Sequence, residues 1–275
     1  MPDSPVILLV DNGSLQPMAT LNLRCLAAGL EVRVGARVEP VSLLHSSAID
    51  PARLGGIPAE ILEPALRRRY SAERRKFVLV PLFFGPSAAL TEYIPERVRA
   101  LTADLPGLDV RVAAPVVDPA RPGDSRLASI LAEHVRGTAA ARSIERPWVI
   151  LVDHGSPQRA VAAVRDAVAA DLARQLGGTA SSVIAASMER RDGADYAFNE
   201  PLLARALERV SGPGVVALMF FSPGRHAGPG GDIEAICAEA ARSRPGLQVH
   251  LTPLVGEHSR LIEILADRLR AAVAS

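Results

Sequence analysis

The sequence predicts an α/β protein made of two copies of one parallel-sheet unit, and three observations carry the prediction. "ILLVDNGSLQP", starting at Ile7, is nearly repeated as "ILVDHGSPQR", starting at Ile150. Further matches follow in the same order. Glu63-Pro64 pairs with Glu200-Pro201, Phe83-Phe84 with Phe220-Phe221, and Ser125-Arg126-Leu127 with Ser259-Arg260-Leu261. The offset between copies drifts in small steps, as short loop deletions between two versions of one fold would make it do. Finally, short apolar runs rich in β-branched residues alternate with helical stripes, the rhythm of βαβ units.

The first copy reads as strands at Val6–Val10, Phe77–Phe84 and Val110–Val117. The second reads as strands at Trp148–Val152, Ser182–Ala186, Val215–Phe221 and Val249–Val255. Their hydrophobicity is continuous rather than alternating, which suits strands covered on both faces. Val161, Val164, Val168 and Leu172 form one stripe of a helix that Gly177-Gly178 ends. Leu261, Leu265 and Leu269 repeat the pattern near the C-terminus. The copies meet in the small, polar stretch "GTAAARSIERPW", which places a boundary near Ser143 and two domains at 1–143 and 144–275.

Composition narrows the function classes. The 275 residues are 48% hydrophobic and 22% charged, enough for a sizeable core in each copy. A formal net charge of +1 offers no electrostatic basis for binding nucleic acid or a membrane surface. Cys25 and Cys237 stand alone in apolar contexts, which argues against a disulfide framework or a zinc knuckle. "MPDSPVILLVDNG" lacks the basic and apolar regions of a signal peptide, and no apolar run reaches about 18 residues. The expected location is cytoplasmic.

In parallel sheets, ligands collect at the carboxyl ends of the strands. In the second copy those ends carry His154, Glu189, His226 and His258. Imidazoles with a carboxylate form a borderline ligand set for first-row divalent metals, and they also accept protons near neutrality. Each histidine alone has a plainer reading as a loop hydrogen-bonder. Convergence of three on one edge favours a site. In the first copy, Asn12 replaces His154, Ala88 or Ala89 replaces His226, and Asp124 replaces His258. His45 lies near the position of Glu189 but in uncertain register. The first copy thus keeps the scaffold without the imidazoles, as a partner walling the cleft.

"ILVDHGS", the glutamate after the second strand, "FFSPGRHAGPGGDI" and "PLVGEHSRLIEIL" together resemble the CbiX-type class II chelatases, the sirohydrochlorin cobaltochelatases and ferrochelatases. The resemblance covers nearly the whole chain as two tandem chelatase-like α/β domains related by pseudo-two-fold symmetry, and is strongest in the second. It implies His154, His226 and Glu189 as metal-binding and proton-accepting residues, with His258 at a further metal position. It implies insertion of Co²⁺, Fe²⁺ or Ni²⁺, the divalent metal being a substrate, into sirohydrochlorin or a related acidic tetrapyrrole. No organic cofactor is required, and the sequence contains no G-x-x-x-x-G-K-[ST] phosphate loop. Arg190, Arg191 and Arg225 flank the proposed ligands and suit the macrocycle's carboxylates, or face solvent. Ser156 is a candidate tetrapyrrole contact as well as a turn cap. Asp232 reads as a helix cap after "AGPGG".

A tandem pair needs no second chain, so a monomer or weak homodimer is expected. The degenerate first copy leaves room for an alternative, a non-catalytic metal or tetrapyrrole carrier. A hydrolase using His154 with Asp153 is disfavoured, because adjacent strand residues point to opposite faces.

Overall fold

The computed structural model describes residues 4–274 and contains two four-stranded, all-parallel sheets with the same strand order. In the first, β1 (Val6–Asp11), β2 (Val38–Ser42), β3 (Lys76–Pro81) and β4 (Asp109–Val112) lie in the order β2-β1-β3-β4. In the second, β5 (Trp148–Asp153), β6 (Ser182–Ser187), β7 (Pro213–Leu218) and β8 (Gln248–Leu251) lie in the order β6-β5-β7-β8. The central strands β1 and β5 are almost wholly buried, which explains their unbroken apolar sequence. β2 escapes sequence recognition because its five residues, "VEPVS", contain a glutamate and a proline. It is an edge strand, where a missing N–H costs little.

Helices α1 (Pro17–Val34), α2 (Leu62–Ser71), α3 (Ile94–Asp104) and α4 (Arg126–Ala141) follow the strands of the first copy. In the second copy α5 (Arg159–Leu176), α6 (Leu203–Leu207), α7 (Asp232–Ser243) and α8 (Arg260–Ala274) do the same. Of the predicted stripe on α5, Val164, Val168 and Leu172 are buried and Val161 is half-buried.

The compact units do not follow the sequence copies. Among the described residues, one runs to Ala120 and resumes at Ser259, and the other is Arg121–His258. The last helix of each copy therefore packs with the other copy's sheet. A cut near Ser143 separates the repeats in sequence but would detach α4 from its unit and leave α8 in the wrong one. In the first unit α8 is anchored by buried Arg268, which donates to the carbonyls of Pro115 and Val116 at 3.0 and 2.8 Å. In the second, α4 packs on α5, and Arg136 donates to the Gln175 carbonyl at 2.5 Å.

The structure also corrects one repeat pairing. Ser42 bridges Ile61, and Ser187 bridges Leu202. Leu62, Ala65 and Leu66 on α2 then correspond to Leu203, Ala206 and Leu207 on α6, all buried. Glu63-Pro64 is thus out of register with Glu200-Pro201 by four residues. The text match arose from composition, while buried positions define the true register.

Among the described residues, no helix is long and apolar enough to cross a membrane. Both cysteines are free, and burial pushes the Cys237 thiol up to about 12. At that value it is neither a nucleophile nor a ready metal ligand.

Candidate metal-handling site

The site grows from the turn after β5. Gly155 takes φ +93°, and a Cβ there would stand 2.0 Å from the Glu189 carbonyl oxygen. Only glycine permits that approach. Across it, the backbone N–H of Glu189 donates to the His154 carbonyl at 3.1 Å, and that of Met188 donates to the Asp153 carbonyl at 2.8 Å. The chain leaving β6 is thus tied to the chain leaving β5, and Glu189 comes beside His154.

His154 Nε2 lies 3.4 Å from Glu189 Oε1, and both side chains are about half exposed. His154 Nδ1 lies 3.2 Å from the Gly155 carbonyl, which only an N–H can satisfy. In the neutral ring this leaves a bare Nε2 facing a carboxylate oxygen. Two lone pairs pointed at each other are favourable only with a proton or cation between them. Their separation is about the edge of a tetrahedron with ~2.1 Å metal–ligand bonds.

His226 comes from the glycine-rich loop between β7 and α7. Gly228 and Gly230 adopt φ +141° and +73° there, conformations a side chain would resist. The loop folds back on itself, with Gly224 N–H donating to the Ala227 carbonyl at 2.7 Å. It delivers His226 edge-on to His154, with ring centroids 4.6 Å apart. The two imidazoles expected to converge therefore do so. His226 Nδ1 lies 2.7 Å from Asp232 Oδ2, a partner that sequence reading took only for a helix cap.

Below the turn lies a buried polar network that the sequence did not reveal. Asp153 accepts from the Ser187 hydroxyl at 2.7 Å and from the Gly155 N–H at 3.1 Å. Ser187 accepts in turn from Arg165. Arg165 is 1% exposed and also donates to the Phe198 carbonyl at 3.0 Å. Asn199 closes the network by exchanging hydrogen bonds with the Ser156 backbone at 2.9 and 3.0 Å. Burial raises the Asp153 carboxyl above its usual range, opposed by Ser187 and Arg165. Asp153 is therefore committed to the core, and the disfavoured Asp153–His154 hydrolase pair does not form.

The remaining expected residues are placed differently. Ser156 Oγ accepts from the Gln158 N–H at 3.0 Å, bracing the entry to α5. Arg190 is tied into its own loop by Glu200 at 2.7 Å and by the carbonyls of Arg191 and Gly193, each at 3.0 Å. This bond holds the Glu200 carboxyl below the usual range. Arg191 stacks over Tyr196 at 5.8 Å. Arg225 is largely exposed, 3.7 Å from Asp232. His258 sits with α4 residues: its Nε2 is 3.1 Å from Glu133, and its ring is 5.1 Å from that of His134.

Among the described residues, no three or more His, Cys, Asp or Glu side chains stand close enough to hold one ion. The expected four-residue ligand set is thus not a preformed cage. The structure brings His154 beside Glu189 and beside His226, while His258 is paired with Glu133.

The geometry defines the class: a duplicated α/β protein whose C-terminal copy presents paired imidazoles at its strand ends. Residues 148–272, the C-terminal copy, match the CbiX family model. Solved structures extend the fold to the whole chain. SirB from Bacillus subtilis with Fe³⁺ superposes with a TM-score of 0.73 at 15% identity, over 98% of this chain and 96% of that one. SirB from the subspecies spizizenii, in complex with cobalt, gives 0.70 at 16%, again over 98% and 96%. A CbiX described as the terminal enzyme for siroheme biosynthesis in denitrifying bacteria gives 0.65 at 18%, over 98% and 99%. No curated protein matches the sequence significantly.

Proposed function

We propose that this protein is a class II metal chelatase that inserts Co²⁺ or Fe²⁺ into sirohydrochlorin or a related acidic tetrapyrrole, with the chemistry confined to the C-terminal CbiX domain. The observation that carries the reading is the edge-on meeting of His154 and His226, 4.6 Å apart, with Glu189 at 3.4 Å from His154. The CbiX match over this domain and the metal-bound SirB structures of like fold support it.

Metallation removes two pyrrole protons as the ion sheds water. His154 and His226 bind the ion through Nε2, and Glu189 completes its shell or takes up protons. An open, incomplete ligand set suits an ion that must leave for the macrocycle, because a closed cage of protein ligands would retain it. Arg225, exposed beside the His226 loop, is placed to meet a substrate carboxylate. Arg190 and Ser156, already engaged locally, shape the loop. His258 has no part in the ion's first capture. In this reading the tandem chain acts in the cytoplasm as a monomer or weak homodimer.

The test is the change in sirohydrochlorin absorbance on adding Co²⁺ or Fe²⁺. Wild-type protein accelerates it, and His226→Ala or His154→Ala reduces the rate to the uncatalysed level while the protein stays folded. Wild-type rates in either variant would remove the site. The incomplete ligand set also favours a second reading, a carrier. Tight binding of metal or macrocycle by the wild type without acceleration selects that reading.

A further inference from the structure

We infer that Asp232 is the positioning residue of the site: it fixes the His226 ring in the tautomer and orientation that present Nε2 to the incoming metal. The inference rests on the proposed metal role of His226. It starts from the 2.7 Å contact between His226 Nδ1 and Asp232 Oδ2. A carboxylate can only accept, so Nδ1 must carry the proton, and the neutral ring keeps its lone pair on Nε2. Carboxylate–histidine–metal arrangements use this logic, setting both the ring's orientation and its basicity.

The local structure shows why Asp232 is held there. It is the first residue of α7, where a carboxylate is favoured by the helix dipole. Its backbone N–H donates to the Arg225 carbonyl at 3.2 Å, and that of Ile233 donates to the His226 carbonyl at 3.1 Å. The start of α7 is thus stitched to the two residues it serves, and the Arg225 guanidinium lies 3.7 Å from the same carboxylate oxygen. The first copy has Pro95 at the corresponding place, six residues beyond Ala89. Ligand position and support are missing together. His154 is oriented instead by the Gly155 carbonyl, so each imidazole of the pair has its own Nδ1 acceptor.

The test uses the full chain, Co²⁺ alone as probe, and the variants Asp232→Ala and Asp232→Asn at pH 8. Ring ¹⁵N shifts of His226 report its tautomer, and titration calorimetry reports Co²⁺ affinity. The wild type shows Nδ1–H with bare Nε2. Asp232→Ala mixes the tautomers and weakens Co²⁺ by ~10–100-fold. Asp232→Asn, which keeps an acceptor oxygen, loses less. Circular dichroism identifies the folded variants, and the asparagine variant decides the matter if the alanine variant unfolds. An unchanged tautomer or wild-type affinity in a folded variant overturns the inference. His226→Ala separates the two layers. If it retains Co²⁺ affinity, the metal reading itself fails. If it loses affinity and Asp232→Ala does not, only the positioning role fails.

Discussion

The turns after β1 and β5 share a backbone and differ in nearly every side chain that bears chemistry. Gly13 takes φ +87° with a virtual Cβ 1.8 Å from the Leu44 carbonyl, as Gly155 takes +93° against Glu189. Leu43 and Leu44 donate to the carbonyls of Asp11 and Asn12, as Met188 and Glu189 do to those of Asp153 and His154. This register puts Leu44, not His45, opposite Glu189. Asn12 stands for His154, and Ala89 for His226. Ala89 also opens a π-helical turn, Ala89–Tyr93, that runs directly into α3. The looping segment that delivers His226 is absent there. Main-chain hydrogen bonds define the turn, so it is kept without the histidine and glutamate, whereas aiming an imidazole needs a loop of its own.

The difference continues into the core. Arg165, beneath Asp153, corresponds to buried Leu23 in the first copy. Asp11 keeps its serine, Ser42, but has lost its cation, and burial pushes its carboxyl up to about 6. Oδ1 of Asp11 has no hydrogen-bond partner. The first copy thus holds a buried acid without the cation that Arg165 supplies to its counterpart in the second.

Exchanging these residues tests the comparison. Arg165→Leu imports the first copy's solution and strands Asp153 and Ser187. Breaking a buried charge network of this kind costs ~3–5 kcal/mol, readable by urea denaturation, and metallation falls with it. A loss under about 1 kcal/mol would show that the network is dispensable.

A smaller effect of opposite sign is expected at Asp11. The unfolded carboxyl ionises near 4, whereas the folded one holds its proton to about 6. Between those values the folded state binds more protons, so stability falls as pH rises through the window, and the penalty persists above it. Asp11→Asn removes the penalty and should stabilise the protein by ~1–3 kcal/mol at neutral pH, with little gain near pH 4. Asp153→Asn should gain less than Asp11→Asn, because Ser187 and Arg165 already offset part of the burial cost of the Asp153 carboxylate. Equal responses at the two sites would erase the distinction between the copies.

The smallest effect is expected from Asn12→His. Leu44 and Ala89 still stand at the positions of Glu189 and His226, so the metallation rate should not change. A doubled rate would mean that the first copy needs only its histidine restored.

Much of this was legible in the sequence. The repeat and the unbroken apolar strands announced two parallel sheets, and three strand-end histidines pointed to a candidate site. Two of those histidines meet in space, while the third joins α4. Three things were hidden. β2 is an edge strand with a central proline, which has no strand-like pattern. The exchange of α4 and α8 between units depends on packing, to which a repeat offset is blind. Arg165, Asn199 and Asp232 act through contacts 22 to 43 residues away or across a glycine loop, and only their neighbours reveal them. Arg165 sits on the buried face of α5, where a charge is rare without a partner, and this was the one available signal.

The central claim is that a divalent cation is captured by the C-terminal copy alone. Anomalous diffraction from crystals soaked in Co²⁺ tests it most directly. The account predicts a cobalt peak within ~2.3 Å of ring nitrogens of His154 and His226 and none beside Asn12. Cobalt bound to His134 and His258, or to the first copy, with His154 and His226 bare, would contradict it.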